Sequence, residues 1–176
     1  MSFNNLIVNG GFETGSLVPW SGLGATVTSA FSHTGLFSAQ LTGDALSAFI
    51  SQTVPVTQGQ TYEFLASLTR IGPLPSPTVV MLITFFDVSS NFLGTGLNII
   101  IPSGRLPDAT TLDWQEIYET LLEAPAGATQ AIVFILKTAQ PGTADILVDD
   151  IALLTVDGGG AVGPTGPAGP TGPTGT

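Results

Sequence analysis

Glycine recurs at every third position near the C-terminus, at Gly160, Gly163, Gly166, Gly169, Gly172 and Gly175. Pro164, Pro167, Pro170 and Pro173 each follow one of these glycines. At a background of ~7% glycine, six in register by chance has a probability on the order of 10⁻⁷. Period three has a specific physical meaning. Three polyproline-II strands wind about one axis, and only glycine fits at the crowded centre. Proline presets the φ that each strand needs. A flexible Pro/Gly linker would share the composition and lack the period. A chain that carries this repeat therefore works as a homotrimer.

Residues 158–176 are read as the start of a collagen-type stalk. Six triplets are few for a triple helix on its own. Help is expected from a trimeric domain beside it or from a longer repeat, which is still running at Thr176. Thr165, Thr171 and Thr174 occupy the third triplet position and would point outward, where they could carry O-linked sugar.

Residues 1–157 fit one domain, long enough for a sizeable core. There is no cysteine, so neither a disulfide framework nor a thiolate metal site is available. The opening MSFNNLIVNGG has no basic or apolar region of the kind a Sec signal peptide requires. No apolar run approaches the ~20 residues that span a membrane. Only three cations, Arg70, Arg105 and Lys137, stand against 13 acids, and the net charge of −10 argues against nucleic-acid binding. Charged residues make up 9% of the chain, whereas about 25% is usual. So little charge leaves apolar and Ser/Thr surface to be buried between subunits, which agrees with the trimer.

The body reads as all-β, with β-branched and aromatic runs separated by Gly, Pro, Asn, Asp and Ser clusters. Expected strands are Leu6–Val8, Ala25–Ala30, Ser38–Thr42, Ala48–Val54, Gln60–Arg70, Val79–Asp87, Leu97–Ile101, Trp114–Leu122, Gln130–Thr138 and Asp145–Thr155. Between Val79 and Phe86 both alternating sets are apolar, so that strand is expected to be covered on both sides, the second time by a neighbouring subunit. Thr111–Leu122 is rich in Glu and Leu, and helix competes there. Strand is preferred because Trp114, Glu116 and Tyr118 alternate with Gln115, Ile117 and Glu119. The expected fold is an all-β, two-sheet jelly-roll sandwich of about ten strands followed by a collagen-type polyproline-II tail.

Four segments carry a resemblance. Asn5–Gly15 followed by Pro19-Trp20 resembles the opening "NLIxNGGFE…GW" of jelly-roll carbohydrate-binding modules. His33-Thr34-Gly35 with Ser38–Leu41 resembles their "HSG…SA.L" segment. Gln52–Val54 with Gly59–Tyr62 resembles their "Q.V.V..G..Y" hairpin, and Val148–Leu153 resembles their closing "VDDV.L" strand. Together with the following Gly-X-Y repeat, the domain is similar to those that precede collagen-like repeats in Firmicutes surface proteins, some of them on spores. The resemblance implies an exosporium-like or cell-surface location. It also implies a structural Ca²⁺ where the first and last strands meet, with Glu13 and Asp149 or Asp150 as ligands and backbone carbonyls near Gly11 and Gly35–Ser38 completing the shell. The alternative leaves Glu13 as a surface acid and the two aspartates in turn hydrogen bonds.

Sugar binding usually rests on exposed Trp or Tyr stacked on pyranose faces beside polar groups. Trp20 is expected to plug the sandwich edge, and Tyr62 to join the core. Trp114 and Tyr118 share a face with Glu116 between them; core packing is the expectation for the pair, and a small ligand platform is the alternative. The single histidine, His33, has no nucleophile elbow to serve and is read as capping the turn ahead of Gly35. The 13 acids show no pattern that would select a hydrolytic pair. No enzyme activity is expected. The expected role is a structural surface protein, a trimeric head that nucleates, caps and anchors a collagen-like fibre, with other surface proteins or glycans as further partners. The alternative is a lectin-like module displayed trivalently on the stalk.

Overall fold

The computed structural model describes residues 4–155, so the Gly-X-Y glycines 160 to 175 lie outside the described residues. The strands are β1 Ser21–Leu23, β2 Ala25–Thr28, β3 Ser38–Leu41, β4 Ala48–Pro55, β5 Tyr62–Arg70, β6 Val79–Phe86, β7 Phe92–Ile101, β8 Gln115–Thr120, β9 Gln130–Lys137 and β10 Ile146–Thr155. They form two antiparallel five-stranded sheets, ordered β1-β4-β9-β6-β7 and β2-β3-β10-β5-β8. Alternation decides which side chains fill the space between them. In β6, Val79, Met81, Ile83 and Phe85 are buried, and in β9 Ala131, Val133 and Ile135 are. Tyr62, Phe64, Ala66 and Leu68 of β5 meet them from the other sheet. A fully buried Phe or Ile contributes about 1.5–3 kcal/mol, so these inward rows hold the sandwich shut.

Within Thr111–Leu122 the strand is Gln115–Thr120, following a 3₁₀ turn over Ala109–Thr111, and each residue of β8 finds a partner on β5, from Glu63↔Thr120 to Leu68↔Gln115. Long-range pairing outweighs the local preference of Glu and Leu for helix. Leu6–Val8 departs from expectation. Rather than a strand there is an isolated bridge between Asn5 and Leu154 and one bond from Leu6 N–H to the Leu153 carbonyl at 2.8 Å. Val8 is satisfied instead by a side chain, with its N–H donating to Gln52 Oε1 and its carbonyl accepting from Gln52 Nε2, both at 2.9 Å. In its place β1 pairs with β4. Gly22 permits that approach, since a Cβ there would lie 2.8 Å from the Phe49 carbonyl oxygen. β7 begins five residues earlier than expected, at Phe92, across Gly94 and Gly96. Gly96 sits under the Phe85 ring, where a Cβ would come within 2.6 Å of Cε2. Trp20 is buried against Phe12, and its Nε1 donates to the Asn9 carbonyl at 3.1 Å.

The two outer faces differ. In the β1-β4-β9-β6-β7 sheet one lateral row runs Leu23–Phe49–Leu136–Val80–Ile100, apolar on all five strands. The next row places Phe134 beside Leu82, with Phe49 and Phe134 rings 5.1 Å apart. Thr84 lies one row further on, opposite Ile132. The one charged residue on these strands, Lys137, points inward and is fully buried, its Nζ donating to the Asp44 carbonyl at 3.1 Å. The outer face of the second sheet carries Glu63, Glu116, Tyr118 and Asp149, and two loops cross it.

Candidate functional site

The site grows from a bulge in β10. Pairing with β5 shifts register between Asp149 and Ala152, and Asp150 takes a left-handed φ of 50°. A bulge re-aims side chains, and here it turns two successive carboxylates toward the loop 31–37. Asp149 is fully buried. Its Oδ2 accepts the N–H groups of His33 (2.7 Å) and Thr34 (3.2 Å), and its Oδ1 accepts that of Asp150 (2.7 Å). Burial outweighs these donors and lifts its carboxyl pKa to about 6, with neighbouring Asp150 adding to the rise. Asp150 accepts from Thr34 Oγ1 at 2.5 Å and lies 2.6 Å from His33 Nδ1.

Glu13 reaches the same loop, where its Oε1 accepts from Leu36 N (2.9 Å) and Phe37 N (3.0 Å). Gly35, at φ +65°, lies close against that carboxylate, and a Cβ there would meet Glu13 Oε1 at 2.3 Å. At Gly11 the missing Cβ leaves a cradle 3.7 Å from Asp149 Oδ1, 3.8 Å from Asp150 Oδ1 and 3.8 Å from Glu13 Cγ. The three acids expected together by resemblance are thus gathered around Gly11, with His33 the nearest basic group. Among the described residues, no group of three or more His, Cys, Asp or Glu side chains is arranged to hold a metal ion. The donors are hard oxygens of the type Ca²⁺ takes, but Asp149 spends both of its oxygens on backbone N–H groups.

His33 links this corner to the aromatic pair. Its ring stands 5.5 Å from the Trp114 ring, and its Nε2 lies 3.3 Å from Glu116 Oε1. Ser67 Oγ is 3.2 Å from Nδ1, the same nitrogen that faces Asp150. Ser67 on Nδ1 and Glu116 on Nε2 thus stand on opposite ring nitrogens, but Nδ1 is held more closely by Asp150, at 2.6 Å, than by the Ser67 hydroxyl. Trp114 is half-buried against His33, whereas Tyr118 is 59% exposed. Tyr118 is therefore not core. Its hydroxyl donates to Glu63 across the β5–β8 pair, and this bond raises its pKa. Trp114, Glu116 and Tyr118 form an outward row in which the aromatics stand about 13 Å apart along the strand. Carboxylates lie between and beside them. Sequence reasoning missed Glu63, His33 and Ser67 as members of this surface. Glu63 had one available signal, its parity opposite to inward Tyr62.

No family model and no curated protein matches the chain. Solved structures do, at low identity. An enzymatically active domain of the bacteriophage CBA120 tailspike protein 4 superposes with a TM-score of 0.70 and 14% identity over 86% of this chain, which spans 21% of that one. A family 16 carbohydrate-binding module superposes at 0.65 with 20% identity, covering 85% of this chain and 99% of that one. TmCBM61, solved in complex with β-1,4-galactotriose, superposes at 0.60 with 18% identity, covering 87% and 99%. The chain has the jelly-roll fold of carbohydrate-binding modules. The match spans nearly the whole length of those two modules, so the fold shared is a complete domain.

Proposed function

We propose that this jelly roll is a non-catalytic carbohydrate-binding head presented on a collagen-like stalk, so that three weak sites act together. The observation that carries the reading is the outward Trp114–Glu116–Tyr118 row, extended by Glu63 and His33. It offers two aromatic surfaces for apolar sugar faces and carboxylate acceptors for hydroxyls between them. Two similar folds are described as binding β-1,4-galactotriose and xylan, which points to a β-linked polysaccharide. The test is titration of the full chain with soluble xylan and with β-1,4-galactan, followed by Trp114→Ala and Tyr118→Ala. Each substitution is expected to weaken binding about threefold to tenfold. Unchanged affinity in the double variant would remove this surface from the reading.

A second role is supported by the uncharged outer face of the other sheet. The head also nucleates and caps the stalk, with the assembly placed on a cell or spore surface. In the corner around Gly11, a structural Ca²⁺ would draw on Glu13, Asp150 and neighbouring carbonyls. It would supply positive charge to tie the entry of the chain to its last strand. Melting with and without chelator tests this, and a midpoint unmoved by added Ca²⁺ would count against it.

A further inference from the structure

We infer that the outer face of the β1-β4-β9-β6-β7 sheet is the trimer interface, and that its occupants are two further copies of this chain. Four strands of eight to ten residues and the three-residue β1, set ~4.8 Å apart, give a face on the order of 600 Å². In a ring each copy would bury about that area in all, shared between its two neighbours, against the ~800 Å² per partner of a stable two-body interface. The face carries no charged side chain, although the described residues hold all three of the chain's cations and most of its 13 acids. Leu23, Phe92 and Ile100 on its flanks are about three-fifths exposed. Ser51, Thr53, Thr84 and Asn98 share the face with Phe49, Phe134, Leu82 and Val80, so it is uncharged throughout and apolar chiefly along the Leu23–Ile100 row.

The number of copies comes from the other end of the argument. A Gly-X-Y repeat closes only with three chains. β10 ends at Thr155, paired with Tyr62. The Tyr62 hydroxyl accepts from Thr57 N at 2.7 Å, two residues past the end of β4. The chain therefore leaves the sandwich at the pole where β4 ends and β9 begins. Three sheets facing a common axis parallel to their strands would release their tails at one height. In such a ring the contact is head-to-tail, so the Leu23–Phe49 flank of each copy meets the Val80–Ile100 flank of the next. Phe134 and Leu82 lie at the centre of each face.

The inference does not rest on the sugar-binding reading. The test uses the full chain with Gly166→Ala and Gly169→Ala, which disable the triple helix. Light-scattering mass should remain three times the 18.0 kDa chain mass. Adding Leu82→Lys and Phe134→Lys should reduce it to one chain mass with the β circular dichroism unchanged. Should that pair unfold, Thr84→Cys, nearly isosteric and on the same face, carries a nitroxide in the otherwise cysteine-free chain. Dipolar coupling at about 10–20 Å is expected, since sheets pack face to face about 10 Å apart. A mass of one or two chains for the tail-disabled protein, or a label without coupling, overturns the inference. Loss of xylan binding with the trimer mass intact would defeat only the sugar-binding reading.

Discussion

The two sheets share one core and differ on their outer faces. The β2-β3-β10-β5-β8 sheet is crossed by loops, and each loop is fixed by polar groups. Asp149 holds the 31–37 loop, while Thr69 Oγ1 lies 3.0 and 2.9 Å from the carbonyls of Pro107 and Asp113. The loops leave Tyr118 and Glu116 open at the β8 edge. Among the described residues the β1-β4-β9-β6-β7 sheet has no such cover, and its outer face is uncharged, with one row of Leu, Phe, Val and Ile and further rows in which Ser, Thr and Asn stand beside Phe134, Leu82 and Ile132. One face is thus built largely from directional polar bonds, which suit the proposed sugar ligand. The other is uncharged and richer in non-directional apolar area, which suits the proposed second copy.

The largest expected effect breaks the comparison by placing the same charge on each face. Phe134→Lys buries an unpaired cation in the proposed interface, a loss of about 3 kcal/mol or more per subunit, and the tail-disabled chain should fall to single-chain mass. Tyr118→Lys puts the charge on the open, already polar face and should leave the mass unchanged while weakening xylan binding about tenfold, as expected for Tyr118→Ala. Equal behaviour of the two variants would mean that the faces do not divide the labour.

That division was partly legible in the sequence. Val79–Phe86 is apolar at both parities apart from Thr84, which marked β6 as carrying apolar side chains on its outer as well as its inner face. The full extent of the face was not readable, because Leu23, Phe49, Leu136, Val80 and Ile100 come from five separate segments aligned only by register. β1 and the start of β7 carried no β signal, because glycines that permit close approach lower strand propensity. On the other face, the parity of Trp114, Glu116 and Tyr118 was enough to place them together. His33 was not, since its approach depends on a loop tied to Asp149 across 116 residues. Segments that match jelly-roll modules located Glu13 and the aspartate pair, but not the hydrogen bonds that Asp149 makes.

The next effect tests the polar anchoring of the covered sheet. Asp149→Ala leaves the N–H groups of His33, Thr34 and Asp150 without their acceptor. A cost of about 3 kcal/mol is expected, equivalent to a fall of roughly 10 °C in Tm, measured by calorimetry. The trimer mass should persist, because this anchor lies on the other sheet. Asp149 also sets a pH dependence. Its native pKa of about 6 lies above the ordinary 3.8, so between these values the folded state binds the proton more tightly than the unfolded chain. Stability in chelator should therefore fall as pH rises from 4 to 7, by up to about 3 kcal/mol. It should be flat above that range, and the slope should vanish in Asp149→Ala. A stability that instead rises across this window would show that the N–H donors outweigh burial.

The smallest effect separates stacking from hydrogen bonding at the open edge. Tyr118→Phe keeps the ring and removes the bond to Glu63. The freed Glu63 carboxylate then becomes available to a sugar hydroxyl. If stacking dominates, affinity for xylan should change less than about threefold, whereas Tyr118→Ala should lose roughly tenfold. If the hydroxyl itself reads the sugar, the two variants should lose affinity equally. Tyr118 is exposed, and its hydroxyl bond is a surface contact between flexible side chains. Neither substitution should move the melting temperature by more than about 1 °C, so a difference in affinity between them can be assigned to the ligand and not to the fold.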